Sequence, residues 1–431
     1  MFISKNLGVN ELGNLTIGGV DASLLAKEYG TPLYVMDEAL FRDNCRRYKR
    51  AMELDYGRKG IVCYASKAFC CKEVFKILKE EGLWADVASG GELYTAVSAG
   101  FPMGKIVFHG CCKTADELTM ALKNKVGRIV VDNFSELSAL SEIAVEMDVS
   151  ADIMLRIKPC VEVHTHELVQ TGNIDSKFGF AAQTGEALEA VRLALLLRNI
   201  NLKGFHCHIG SQILDTDSFV KAAEAMLLFI SEVKEQLSFE AGELNLGGGF
   251  GIKYTEEDKA PEYELYINDV SARIKKLCAD KGLSLPLIMI EPGRSIPAHS
   301  GITLYTAGEV KVIPEVRTYV MVDGGLTDNP RYSMYKAKYE FIAVNKASEP
   351  KSEIVSIAGK CCEKDPLGEG VKLQPVESGD IIAVLATGAF NYSMSSNYNR
   401  FPRPPVVMVR NGKARIIVKG ETYEDMIRND L

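Results

Sequence analysis

The chain has 431 residues, 47% hydrophobic and 25% charged, enough for two folded domains and outside the range of disordered or fibrous proteins. Its net charge is −7 and its lysines and arginines are dispersed, so no nucleic-acid partner is expected and small-molecule chemistry is the better starting point. No apolar run approaches the roughly 18 residues of a membrane span, and Met1 to Glu11 lacks the charged start and apolar core of a secretory leader, so a cytoplasmic protein without a membrane partner is expected.

Eight short strands are expected in chain order at 61–66, 84–88, 105–109, 128–132, 152–158, 203–209, 243–247 and 287–291. Between them lie segments such as Thr114 to Lys123, Phe134 to Met147, Thr184 to Leu197, Thr216 to Leu237 and Glu262 to Lys281, whose apolar residues recur at helical spacing. This alternation predicts an α/β fold, a (β/α)8 TIM-like barrel over residues 37–300, with a helix from Ala39 to Leu54 outside it. Residues 1–36 form an N-terminal segment able to pack on either domain. Beyond Ser300 the rhythm changes to strands alone: Thr303 to Val312, Thr318 to Val322, Tyr339 to Val344, Glu353 to Ile357, Ile381 to Leu385, and a final pair joined by Asn411-Gly412. Residues 301–431 therefore read as an all-β C-terminal domain, closed by a dipeptide that favours a tight hairpin turn.

The eleven cysteines are odd in number and include the adjacent pairs Cys70-Cys71, Cys111-Cys112 and Cys361-Cys362, so reduced thiols are expected. They do not combine with the six histidines in a zinc pattern, and no metal is expected. His164 and His166 have ligand-like spacing, but nothing completes a site, and they read as loop or lid residues.

In a barrel of this type the chemistry sits at the C-terminal ends of the strands. Lys67 follows the first strand, His109 the third, His206, His208 and Ser211 lie at the sixth, Gly247-Gly248-Gly249-Phe250-Gly251 follows the seventh, and Glu291-Pro292-Gly293-Arg294 the eighth. A lysine amine, desolvated at a barrel mouth, can form a Schiff base with an aldehyde cofactor. A glycine-rich turn lets backbone N–H groups approach a phosphate. A buried acid can hold a pyridine nitrogen protonated and make the ring an electron sink. These are the parts that pyridoxal 5'-phosphate needs from a protein. Taken singly, each has a commoner structural reading: a surface lysine, a tight turn, a salt-bridge acid. His206 and His208, two apart on one strand, are expected to point to the same side.

The motifs Tyr64-Ala65-Ser66-Lys67-Ala68, His208-Ile209-Gly210-Ser211-Gln212, Gly247 to Gly251 and Glu291-Pro292-Gly293-Arg294 resemble those of the fold type III pyridoxal-phosphate decarboxylases. The resemblance is strongest to the branch that acts on meso-2,6-diaminopimelate in lysine biosynthesis. It implies that Lys67 is the Schiff-base lysine, His208 the ring-stacking histidine, and Ser211, Gly248, Gly249, Glu291, Pro292, Gly293 and Arg294 the cofactor cradle. It further implies that Arg294, Arg331 and Tyr335 bind the distal carboxylate of the substrate. Cys362 and Glu363 look like the family's Cys-Glu pair, the thiol acting as general acid and the carboxylate holding the distal ammonium. In the family this pair comes from the neighbouring subunit, so a homodimer with shared sites is implied. Gly388-Ala389-Phe390 departs from the family's Gly-Ala-Tyr, and Tyr392 is the candidate to replace the missing hydroxyl toward cofactor and substrate. The rival within this fold is a decarboxylase acting on carboxynorspermidine, arginine or another basic amino acid. From other classes come a non-catalytic cofactor-binding relative and an alanine-racemase-like enzyme.

Overall fold

The computed structural model describes residues 2–161 and 175–431, which fall into two compact units. His164 and His166 lie outside the described residues.

The first unit, residues 44–252 and 259–294, contains eight parallel strands: Gly60–Ala65, Trp84–Val87, Ile106–Phe108, Arg128–Val131, Ala151–Lys158, Ile200–His206, Glu243–Asn245 and Leu287–Ile290. The last pairs with the first in the register Ile288↔Gly60, Met289↔Ile61, Ile290↔Val62, which closes the barrel. Alternation along each strand sends Cys63, Val107, Val130, Met154 and Met289 into one buried cluster. The helices between strands start where the sequence supplies a cap. Ser89 accepts from the Glu92 N–H, Asn133 from the Glu136 N–H, and Thr114 forms a reciprocal box with Glu117.

The second unit comprises residues up to Asp43, Lys253–Asp258 and Ser295–Leu431. Its long strand Gly301–Ile313 pairs antiparallel with Arg317–Val322, Ile381–Val384 and Leu33–Asp37. Leu33–Asp37 runs parallel to Val406–Arg410, so the N-terminal segment contributes a strand to this unit. Asn411 and Gly412, with φ of 51° and 72°, then turn the chain into Lys413–Val418. Leu33, Val35, Ile302, Leu304, Val407 and Val409 build the core beneath. Two expectations need correction. Tyr339 to Val344 is a strand only over Phe341–Ala343. An unexpected strand, Pro366–Leu373, pairs with Glu353–Ala358; Gly368 and Gly370 dilute its strand character in sequence.

One buried charge ties the first turn of helix Glu38–Tyr56 to the terminal hairpin. Glu38 is 1% exposed and meets Arg42 at 2.8 Å, Arg410 at 2.7 Å and Arg415 at 2.8 Å. Burial pushes this carboxyl up, but the hydrogen bond and charge of Arg42, with Arg410 and Arg415, outweigh it and the net shift is downward. The stabilisation is therefore present at neutral pH and lost as pH falls through the folded-state pKa. Glu38→Gln should lower unfolding free energy by about 2 kcal/mol at pH 7, discounting the two half-exposed arginines. The difference from the parent chain should shrink in acid, read as a urea midpoint at each pH.

Candidate active site

The first barrel strand ends at Ala65, whose N–H donates to Pro292 O at 3.2 Å, and the single turn Ser66–Ala68 carries Lys67. Lys67 is exposed. Its charge still acts on Asp86 and His208.

Glu291 follows the eighth strand and is 5% exposed. His109 Nε2 lies 2.7 Å from Oε1, His206 Nε2 lies 3.2 Å from Oε2, and Asn245 Nδ2 donates to Oε1 at 2.6 Å. Burial alone would push the Glu291 carboxyl up, but the two imidazoles and their contacts hold it well below the usual range. It is an ionised carboxylate inside a barrel. Burial drives His206 down to about 3, so that ring is neutral at physiological pH. The same burial raises nearby Asp86 to about 7, against the pull of His109. His109, His206 and Glu291 are also close enough to share an ion, although their mutual contacts already account for the arrangement.

The sixth strand stops at His206, so His208 lies past it and the alternation argument does not reach it. Its Nδ1 accepts from the Gly248 N–H at 3.2 Å, which requires an unprotonated Nδ1. Burial, Lys67 and Arg156 push its pKa well below 6.5, in keeping with that bond. Gly247 N–H donates to Asn245 Oδ1 at 2.9 Å, so one asparagine joins the glycine loop to Glu291. The loop is stitched to residue 213 through Ile213 N–H to Gly249 O and Gly251 N–H to Ile213 O, both 3.0 Å. A Cβ on Gly248 would fall inside the contact radius of Glu291 O, and Gly249 has φ of +114°. Among the described residues no acceptor meets the N–H of Gly249 or Phe250. Arg294 Nη2 donates to Ser211 Oγ at 2.7 Å. Two amides, a hydroxyl and a guanidinium make a donor set that suits a phosphate, and the ionised acid is an acceptor that suits a protonated ring nitrogen.

The second unit holds the remaining expected residues. Arg331 begins the short helix Arg331–Tyr335, which places Tyr335 four residues on along one face. Arg331 is 7% exposed, and its Nη1 donates to Tyr254 Oη at 3.0 Å and to Tyr339 Oη. The rings of Tyr254, Tyr339 and Phe390 lie 5.1, 5.6 and 5.9 Å from its guanidinium carbon. Among the described residues no carboxylate pairs with it. Burial acts to lower its pKa, but the two phenols outweigh this and hold it protonated. Cys362 and Glu363 are exposed; Cys362 N–H donates to Asn399 Oδ1 at 3.1 Å and Tyr398 Oη donates to Glu363 Oε1 at 2.6 Å. Cys361 is buried, and burial with its bond to Asp365 pushes its thiol up to about 12. Of the adjacent thiols, Cys362 is the accessible one. Tyr392 sits edge-on to Tyr34 at 5.8 Å.

Sequence reasoning missed Asn245, Asp86, Tyr254 and Tyr339. Asp86 carried a signal, a polar residue inside an otherwise apolar strand, whereas Asn245 shares its short strand with Glu243 and the two tyrosines carried none.

Residues 38–298 match the model of the pyridoxal-dependent decarboxylase family, pyridoxal binding domain. The chain is 49% identical to the diaminopimelate decarboxylase of Bacillus subtilis (strain 168), over 100% of this chain and 98% of that protein. It is 43% identical to that of Staphylococcus aureus (strain COL), over 98% of each. The crystal structure of diaminopimelate decarboxylase from M. jannaschii in co-complex with L-lysine superposes with a TM-score of 0.93 at 37% identity, covering 100% of this chain and 99% of that one. Gly248→Ala should force Glu291 O away from the loop. Its thermal midpoint should drop and pyridoxal phosphate should be lost on dialysis, followed by absorbance, where the parent protein keeps it.

Proposed function

This chain belongs to the pyridoxal-dependent decarboxylases, in the family of diaminopimelate decarboxylases, and we propose that it converts meso-2,6-diaminopimelate to L-lysine and CO2, the last step of lysine biosynthesis, in the cytoplasm. The observation that carries the choice of substrate is Arg331. Among the described residues this buried guanidinium has phenol partners and no carboxylate, which suits it to bind an anion, because leaving such a charge unpaired is costly. A substrate with a second carboxylate far from the scissile one supplies that anion, and ornithine or arginine does not.

Bound pyridoxal phosphate supplies the electron sink for the pair released when the carboxylate leaves. Lys67 is the residue that would hold it covalently, with Ser211, Gly248, Gly249, Pro292, Gly293, Arg294 and Tyr392 lining its cradle and His208 facing its ring. Glu291, kept ionised by its imidazole partners, would keep a proton on the ring nitrogen of the bound cofactor. Arg331, Arg294 and Tyr335 bind the distal carboxylate, where a planar guanidinium offers two parallel N–H bonds, and Tyr392 supplies a hydroxyl toward the substrate. Glu363 binds the distal ammonium, and Cys362 Sγ delivers the proton that replaces CO2. Both of the latter are exposed, as suits residues that complete the site of a second copy in a homodimer.

Purified protein with pyridoxal phosphate should release lysine and CO2 from meso-diaminopimelate and leave ornithine, arginine and carboxynorspermidine essentially untouched. Preference for any of these three discards the substrate assignment. Arg331→Ala should cut kcat/KM for meso-diaminopimelate on the order of 100-fold, about 3 kcal/mol. Shared sites have their own test: Lys67→Ala and Cys362→Ala chains, each nearly inactive, should regain about one quarter of parent activity when subunits are exchanged. Absence of any recovery after exchange would mean that each subunit completes its own site.

A further inference from the structure

The turn from Gly359 to Asp365 carries Cys362 and Glu363, and a single buried carboxylate shapes it. Asp365 is 3% exposed. Its Oδ1 accepts from Leu326 N–H at 2.6 Å and its Oδ2 from Cys361 N–H at 3.1 Å. The turn closes on itself through Gly359 N–H to Asp365 O at 2.8 Å, and Lys360 N–H donates to Gly324 O at 2.9 Å. The carboxylate is wedged so tightly that a Cβ on Gly325 or Gly359 would overlap its Oδ2. From Gly325 the chain runs directly to Arg331: Asp328 N–H and Asn329 N–H both donate to Gly325 O, at 3.1 and 2.8 Å, and the helix Arg331–Tyr335 follows.

We propose that Asp365 is the positioning residue that sets the Cys362 thiol and Glu363 carboxylate for reaction and holds them on the same scaffold as Arg331. This deepens the decarboxylase reading and rests on it. The argument is one of paired acceptors. Both oxygens take a backbone N–H, and those two donors belong to different segments. An amide in the same place can accept only one of them and turns its NH2 group against the other donor. In a homodimer with shared sites, the thiol it positions serves the neighbouring subunit while Arg331 serves its own, so this carboxylate joins two active sites.

The test uses the pyridoxal-phosphate-loaded enzyme carrying Asp365→Asn or Asp365→Ala. For Asp365→Asn we expect kcat on meso-diaminopimelate to fall about tenfold and for Asp365→Ala further, with KM changed less than kcat. The rate of Cys362 alkylation by iodoacetamide, read by peptide mass spectrometry, should shift several-fold, and cofactor retention should match the parent. A purely structural role would lower the thermal midpoint alone. If Asp365→Ala does not fold, the near-isosteric Asp365→Asn carries the test. A folded Asp365→Asn enzyme with parental kcat and parental Cys362 alkylation overturns the proposal. Failure of the parent enzyme to form lysine would instead sink the substrate reading, and the alkylation rates would still decide the role of Asp365.

Discussion

The barrel unit depends on one ionised carboxylate kept far from water. Glu291 gathers His109 from beyond the third strand, His206 from the sixth and Asn245 from the seventh. Isolated, a carboxylate at 5% exposure would take up a proton rather than stay charged. The imidazoles and the amide reverse that preference, and they do so from three different strands, so the charge state and the barrel's closure support each other. Asn245 extends the link, since its other end fixes the Gly247 N–H. Acid and glycine loop are thereby set in one frame, and His208 joins it by accepting from Gly248. Few of these bonds are exchangeable with water, which is why the site can be assembled before any ligand arrives.

The second unit solves the opposite problem. Arg331 is a buried cation with phenols in place of a counter-ion. Phenol oxygens and aromatic faces lower the cost of keeping it charged without neutralising it, so its attraction for a carboxylate is preserved. Each unit thus holds one fixed charge of its own, a negative one inside the barrel unit and a positive one within the β unit.

Strand positions in the barrel were legible because a parallel strand buried on both faces reads as a short apolar run between amphipathic helices. Gly247 to Gly251 and Glu291 were legible for a related reason: a glycine cluster and an acid at strand ends break the apolar pattern. What sequence could not supply was distance. His206 and His208 look equivalent two residues apart, yet the strand stops between them, and one ring turns to Glu291 while the other meets Gly248. Tyr254 and Tyr339 stand far apart in the chain and look like any other tyrosines, and only folding puts both on one guanidinium. Pro366–Leu373 escaped because its glycines hide a strand that pairing with Glu353–Ala358 enforces.

Phe390, where the resembling family has tyrosine, makes sense beside Arg331. Its ring lies 5.9 Å from the guanidinium carbon, and its backbone has a φ of 70°. Two phenol oxygens already accept from Nη1. A third hydroxyl at this position would compete for the N–H groups still open, and those are the groups a carboxylate needs for a two-point bond. A bare ring shields the cation from water and claims none of its donors. In this chain, loss of the hydroxyl therefore removes a competitor at the proposed carboxylate site.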